Sequence, residues 1–234
     1  MSTHMKSMAR RLSPEQIPVF PLGGTVLLPG CELPLNIFEP RYLNMIDDML
    51  KGDRVIGLIQ PQYALDGAGA KTARPDLARI GTLGRLRQFS ETDDGRYLIS
   101  LAGLKRFTFI DEADVTTPYR QAQVSYDAFS ADIDVHDKRI MPTSLEDNAA
   151  ERARLTAGMK SFARSLGVDV DWGGLNAISM DRLVDQTAMI SPFSAQDKQS
   201  LLEASSHAER RSLLIGLMKI YSQQATPPDK SDMQ

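Results

Sequence analysis

The sequence predicts an α+β protein: a β pseudo-barrel with one inserted helix, followed by a C-terminal helical bundle. Three observations predict it. Up to about residue 130, short β-prone apolar runs alternate with Pro, Gly and Asp punctuation, the pattern of strands joined by turns. After residue 140 the apolar spacing changes from about two to about 3.6 residues, the period of one helix face. Inside the β-rich half, a single helical segment opens at Pro40. The resulting boundaries are 14–130 for the barrel and 140–224 for the helices, with 1–13 and 225–234, which carries Pro227-Pro228, as frayed ends.

In chain order, the strand candidates are Ile17 to Phe20, Val26 to Leu28, Arg54 to Gln60, Ile80 to Phe89, Tyr97 to Asp111 and Tyr119 to Tyr126. Asp93-Asp94-Gly95 supplies a residue tolerant of positive φ between two of these runs, which predicts a tight hairpin. Gly103 interrupts the run that continues to Asp111, and a glycine inside a strand marks a bulge or a sharp bend in a barrel wall. The inserted helix begins at Pro40, repeats Leu43, Ile46, Met49 and Leu50 at helical spacing, and stops at Gly52. We expect it to plug one end of the barrel.

Four helices follow. Leu155, Met159, Phe162 and Leu166 form one apolar stripe, with Ser144 as an upstream cap and Gly167 as terminator. A second helix runs from Asp181 to Ile190 and ends at Ser191-Pro192. Ser194 caps a third through Leu201 and Leu202. Ser206 with Glu209 reads as a capping box for the last, which carries Leu213, Leu214, Leu217, Met218 and Tyr221. Short connections imply a compact bundle.

Composition limits the function classes. With 42% hydrophobic and 24% charged residues over 234 positions, the chain has the make-up of a globular protein with a real core. A net charge of −3 gives no long-range attraction to nucleic acid or anionic lipid. The single cysteine, Cys31, cannot form an internal disulfide or a multi-thiolate zinc site and reads as a small buried hydrophobe. Lys6, Arg10 and Arg11 have no apolar segment behind them, and no stretch of 18 consecutive apolar residues occurs. A cytoplasmic protein without a membrane span, monomeric or weakly dimeric, is the expectation.

The most specific stretch is an ordered series: Pro21-Leu22, then Val26-Leu27-Leu28-Pro29-Gly30, then Pro34-Leu35-Asn36-Ile37-Phe38-Glu39-Pro40-Arg41-Tyr42. It resembles the opening of the substrate-binding domain of the ATP-dependent protease Lon. The segment Arg79 to Arg85 followed by Tyr97 to Phe107 is similar to the second half of that β domain, and Ala188 to Glu203 with Glu209 to Leu214 to its helical part. The resemblance spans residues 17–221. It implies a PUA-like barrel with a helical bundle, as a stand-alone version of the domain, because Lon's ATPase and Ser-Lys protease modules would begin where this sequence ends. It also implies a non-catalytic polypeptide-recognition module for unfolded or tagged proteins, acting as an adaptor for a separate ATP-dependent protease or as a chaperone-like holder. The PUA relationship leaves RNA binding as the alternative.

Catalytic motifs fail on inspection. Gly67-Ala-Gly-Ala-Lys-Thr72 places Ala70 where a P-loop needs glycine, and Pro75 blocks the helix that must follow. No G-x-S-x-G, H-E-x-x-H or Cys-x-x-Cys occurs, so neither a nucleophile elbow nor a compact metal site is built in. His4 lies in a tail, His136 in a polar linker and His207 at a helix start. No cofactor or metal is therefore expected. Glu39 is positioned to accept backbone N–H groups at the inserted helix, Arg41 to pair with a carboxylate across the barrel, and Phe38 and Tyr42 to fill the barrel end. Strand alternation points Arg85, Arg87 and Arg106 outward and Phe89 and Phe107 inward. The expected polypeptide groove lies between barrel and helices, with the loop from Gln62 to Asp76 at its rim and Tyr63 and Leu65 as its apolar contacts.

Overall fold

The computed structural model describes residues 14–66, 74–135, 149–175 and 177–224. Packing divides the chain into two compact units, with the division falling between Arg139 and Ile140. The Gly67–Thr72 segment, Ser144, His4, His136 and both chain ends lie outside the described residues.

The first unit is built on six strands: β1 (Gln16–Pro21), β2 (Glu32–Ile37), β3 (Val55–Pro61), β4 (Leu77–Glu91), β5 (Tyr97–Glu112) and β6 (Gln121–Ser125). The sheet order is β2-β5-β4-β3-β1-β6, and a further β5–β6 pairing closes five of the strands into a barrel. The β1–β3 pair is parallel and every other pair antiparallel. Strand β5 is long enough to serve two neighbours on one edge, since residues 97–102 pair with β2 and 108–112 with β6. The barrel core collects Ile17, Val19, Val55, Ile59, Leu83, Phe107 and Val124, all buried. Each such side chain contributes about 1.5–3 kcal/mol when removed from water.

Local chemistry accounts for the turns. The hairpin between β4 and β5 forms at Asp93-Asp94-Gly95, with Gly95 at φ 77° and its N–H donating to the Thr92 carbonyl at 2.9 Å. A tight turn closed by that hydrogen bond and ended by a left-handed glycine is the usual three-residue hairpin loop. The β4–β5 register shifts between Leu83/Lys105 and Gly84/Gly103, so a bulge falls at Gly103 as expected. Val26, Leu27 and Leu28 correct the strand reading: they are buried but irregular, and the strand lies further on at Glu32–Ile37. Three apolar residues bounded by Gly and Pro secure burial without a ladder. β2 carries no clear strand signal in the sequence because Pro34 sits in its middle; proline is confined to edge strands, and β2 is one.

The inserted helix is α1 (Pro40–Lys51), with Pro at its start and Gly52 at its C-terminal boundary. Its inward face is Tyr42, Met45, Ile46 and Met49: Ile46 and Met49 of the expected stripe are buried, while Leu43 and Leu50 are half-buried and Tyr42 and Met45 take their place. Two tyrosines anchor it: Tyr97 of β5 donates its hydroxyl to Asp47 at 3.0 Å, and Tyr119 of the β5–β6 connection donates to Asp48 at 2.9 Å. Burial, reinforced by the Asp48 contact, pushes the Tyr119 phenol up to about 12. A one-turn helix, α2 (Gln62–Leu65), leads off β3, and a 3-10 segment over Asp127–Val135 follows β6.

The second unit holds α3 (Ala149–Ser165), the short α4 (Trp172–Leu175), α5 (Met180–Ile190), α6 (Ala195–Glu203) and α7 (His207–Gln224). Leu155, Met159 and Phe162 of α3 are buried, but Leu166 lies beyond the helix end and is 40% exposed. Gly167 at φ 67° ends α3 with a Val168 N–H donated to Ala163 and its own donated to Arg164, a Schellman pair. Ser194 caps α6 by accepting the Asp197 N–H at 3.1 Å. The α7 box is split between two serines: Ser206 accepts the Glu209 N–H, while Glu209 reaches back to the N–H of Ser205. Leu214 and Met218 of α7 are buried, whereas Leu213 faces outward.

Candidate functional site

The residues singled out by sequence cluster where α1 begins. Tyr42 is buried edge-on against Phe20, with ring centroids 4.4 Å apart. The Arg41 guanidinium lies 4.6 Å from the Tyr42 ring centroid and donates Nε and Nη2 to Glu39 at 3.0 and 2.7 Å. Burial raises the Tyr42 phenol; Arg41 opposes that and Glu39 adds to it. Two expectations are corrected here. Glu39 makes no side-chain cap to α1, because its carboxylate is taken by Arg41, two residues away, and not by a partner across the barrel. Phe38 does not fill the barrel end: it follows the last β2 residue and is 63% exposed.

Tyr63 and Leu65 lie on α2 and are half-buried. Leu65 packs on the barrel core, so it supports the fold as well as the rim. Tyr63 lies near enough to Tyr42 to bear weakly on its ionisation. The turn before the Val26-Leu28 segment abuts α2 where Gly23 faces Ala64, and Gly24 donates its N–H to the amide oxygen of Gln60 on β3 at 2.8 Å. The 62–76 loop is closed at its neck. Gln62 donates its N–H to the Asp76 carbonyl at 2.7 Å, Arg120 donates Nη1 to the Pro75 carbonyl at 2.6 Å, and Glu112 accepts both Arg120 and Arg74.

Burial pushes the Glu112 carboxyl up, but the hydrogen bonds and charges of Arg120 and Arg74 outweigh it and hold the group below its ordinary range. A carboxylate depressed in the folded state stabilises above its unfolded value, about 4.3, and that stability is lost as pH falls through the folded value. The melting-temperature difference between the parent chain and Glu112→Gln should therefore be full at neutral pH and shrink below about pH 4.3. A difference that does not change with pH would contradict the clamp.

The arginines do not form a basic face. Arg106 is buried, not outward, and pairs with Asp132; Arg85 is half-buried and Arg87 exposed. Phe107 is fully buried as expected, whereas Phe89 is 40% exposed and rests against Tyr97 at 4.9 Å. Leu98 is exposed on the same β4–β5 arm. Sequence reasoning had no local signal for the Arg106 pairing, since its acceptor lies 26 residues later.

In the second unit the half-buried Arg152 and the buried Lys198 and Arg210 donate to backbone carbonyls at or just beyond helix ends. Arg152 donates to the Leu175 and Ile178 carbonyls, Lys198 to that of Met189 and Arg210 to that of Leu201. Such contacts satisfy carbonyls that helix termini leave open. His207 is half-exposed, with Nδ1 3.9 Å from Asp185. Among the described residues, no group of three or more His, Cys, Asp or Glu side chains could hold a metal ion, and no helix is long and apolar enough to cross a membrane.

Comparison with known proteins agrees with this architecture. The model of the ATP-dependent protease La (LON) substrate-binding domain matches residues 16–219. The Lon protease of Desulfosudis oleivorans is 27% identical over 194 residues, covering 81% of this chain and 22% of that protein. The Lon protease of Cytophaga hutchinsonii is 25% identical over 211 residues, 88% of this chain and 24% of that protein. The chain thus spans less than a quarter of the length of these relatives. Among solved structures, a Lon N-terminal domain protein from Xanthomonas campestris aligns with a TM-score of 0.58 at 22% identity, covering 86% of this chain and 97% of that one. The N-terminal domain of the Mycobacterium avium complex Lon protease aligns at 0.55 with 17% identity, covering 87% and 98%. From its motifs, its α+β fold and a family match across most of its length, the chain belongs to the family of LON substrate-binding domains.

Proposed function

We propose that this domain recognises unfolded or tagged polypeptides without acting on them chemically. The observation that carries the reading is the family match over residues 16–219, the domain being described as substrate-binding. The α1 entrance supports it. Phe38 offers an apolar side chain to solvent beside the Arg41–Tyr42 stack, and Tyr63 and Leu65 continue the apolar character on α2. Single exposed apolar groups set on rigid elements suit clients that share hydrophobicity but no sequence. Strand addition at the open β2 edge is the weaker route, because Pro34 blunts that edge by removing a donor.

Binding of this kind delivers or holds a client. An adaptor for a separate ATP-dependent protease, or a chaperone-like holder in the cytoplasm, is the role such a module serves. The test is fluorescence anisotropy with a labelled, permanently unfolded protein such as reduced, carboxymethylated lactalbumin. The parent chain should bind it, and Phe38→Ser should weaken binding about tenfold while leaving stability within about 0.5 kcal/mol. A Tyr63→Ser/Leu65→Ser double variant should also weaken binding, but with a lowered melting temperature, because Leu65 is part of the core packing. No binding by the parent chain rejects the function; unchanged binding by Phe38→Ser rejects the location.

A further inference from the structure

The connection between β5 and β6 makes one wall of a polar cleft, and the outward face where β1 meets β6 makes the other. Gln16, Asp114, Val115, Thr116, Thr117 and Gln121 line a volume of about 410 Å³. Small-ligand sites have this size, about 300–1,000 Å³, but here one valine stands among five polar side chains. The register explains the glutamine wall. Gln16 pairs with Gln123 and Pro18 with Gln121, so Ile17, Ala122 and Val124 point into the barrel while the glutamines share its outer face. The opposite wall is held at both ends. Ala113 donates its N–H to the Gln121 carbonyl at 2.9 Å, Tyr119 is bonded to Asp48, and the Arg120 guanidinium is fixed by Glu112 and the Pro75 carbonyl.

Along the cleft the amides form a relay that runs in one direction. Gln123 donates Nε2 to Gln16 Oε1 at 3.0 Å, Gln16 donates Nε2 to Gln121 Oε1 at 2.9 Å, and Gln121 donates Nε2 to the Thr117 hydroxyl at 3.4 Å, which in turn donates to the Tyr119 carbonyl at 2.8 Å. A primary amide carries two N–H groups, so Gln16 and Gln121 each keep one for a ligand. Across from them, Asp114 and Thr116 are exposed, and among the described residues neither side chain has a hydrogen bond or an ion pair. Arg74 acts on Asp114 only through space, being hydrogen-bonded to Glu112. The cleft therefore sets an anionic acceptor on one wall against N–H donors on the other. A single carboxylate is too few for a calcium ion, which takes about six to eight oxygens, but it matches an organic ammonium group.

We propose that this cleft takes the free N-terminus of a polypeptide: Asp114 and Thr116 receive the α-ammonium group, and the spare N–H groups of Gln16 and Gln121 donate to the first carbonyl oxygen. The proposal rests on the polypeptide-recognition reading and gives it a defined chain end. An α-ammonium group and the carbonyl of its own residue hang from one carbon, so both reach a single cleft. A lysine ammonium stands at the end of a four-carbon stem with no acceptor beside it, and would leave the amide donors unused. Capture of a chain terminus by preset polar groups is a recurring mode of peptide recognition.

The test uses the full chain and a hexapeptide of alanine, glycine and serine labelled with fluorescein at its C-terminus, read by anisotropy. The parent chain should bind it, and N-acetylation of the peptide should weaken binding at least about tenfold. Asp114→Asn should weaken binding of the free peptide by as much, with no further loss for the acetylated one, and should keep the parent's thermal midpoint because it removes no hydrogen bond or ion pair. An acetylated peptide carrying one lysine should bind as weakly as the acetylated peptide without it. No binding of the free peptide, equal binding of the free and acetylated peptides, or unchanged binding by Asp114→Asn overturns the receptor. Tight binding of the lysine peptide also overturns it, since the cleft would then take any ammonium group, and so does a lowered midpoint, which would make Asp114 a structural residue. Capture of carboxymethylated lactalbumin and its loss in Phe38→Ser are read separately, so failure of the cleft leaves that result standing.

Discussion

Gly103→Ala should destabilise the first unit by upwards of about 3 kcal/mol, enough to leave the chain largely insoluble or molten at 37 °C. A Cβ at this position would stand 2.3 Å from the Leu28 carbonyl oxygen and 3.0 Å from its carbonyl carbon. Those are backbone atoms, and they cannot move aside as a side-chain tip can. They are also held: Gly103 donates its N–H to the Cys31 carbonyl and accepts the Gly30 N–H, each at 2.9 Å. Relief of the clash would need either the loss of both hydrogen bonds or a shift of the β5 bulge, which sets the registers of β4 and β5 on either side. The irregular Val26-Leu28 segment would move with it, carrying three side chains no more than 2% exposed. The measurement is a thermal or urea transition followed by circular dichroism. A midpoint within 2–3 °C of the parent would show that the close approach is not required. Gly95→Ala, whose added Cβ meets nothing within 4 Å, supplies the contrast: it should cost only about 1 kcal/mol for its positive φ.

These two glycines illustrate what the sequence could reveal. Gly95 was legible because its signal is local: two aspartates and a glycine between two apolar runs specify a turn whatever surrounds it. Ser194 and Gly167 were legible for the same reason, each acting on backbone groups within a few residues. Gly103 was legible only as an interruption; that it makes room for Leu28 depends on a contact 75 residues away in sequence. The closure of β5 on β6 has no sequence signature either, since one long strand must be recognised as serving two neighbours. At the candidate site, Pro40 and Tyr42 read correctly from position and residue type. Phe38 did not, because an aromatic in an apolar run reads as core, and the chain's turn from β2 into α1 is what turns it outward. Arg106 failed for a different reason: alternation assigns a face, but an added layer such as the 3-10 segment over Asp127–Val135, which supplies Asp132, can bury that face.

Asp185→Ala should cost the second unit about 3–5 kcal/mol, the largest expected loss from a single polar side chain. Arg210 is 3% exposed, and its Nη1 donates to Asp185 at 2.8 Å while Nε holds the Leu201 carbonyl at the end of α6. Removing the carboxylate leaves a guanidinium in a nearly dry site that it cannot leave without releasing that carbonyl. Burial pushes the Asp185 carboxyl up, and Arg210 and His207 pull it down without restoring its ordinary value. The pair therefore does not fully offset its own desolvation, and the cost of truncation resides mainly in the orphaned arginine. A specific consequence follows for the double variant. Asp185→Leu combined with Arg210→Met should recover most of the stability lost by Asp185→Ala, short of about 1 kcal/mol for the uncapped Leu201 carbonyl. The reporter is built in, because the single tryptophan, Trp172, lies in the second unit with the Lys160 ammonium 5.6 Å from its ring centroid. Urea transitions read by its fluorescence should move to markedly lower denaturant in Asp185→Ala and return in the double variant. Equal losses in the single and double variants would mean that the Arg210 contact to Leu201, and not its pairing with Asp185, holds α5, α6 and α7 together.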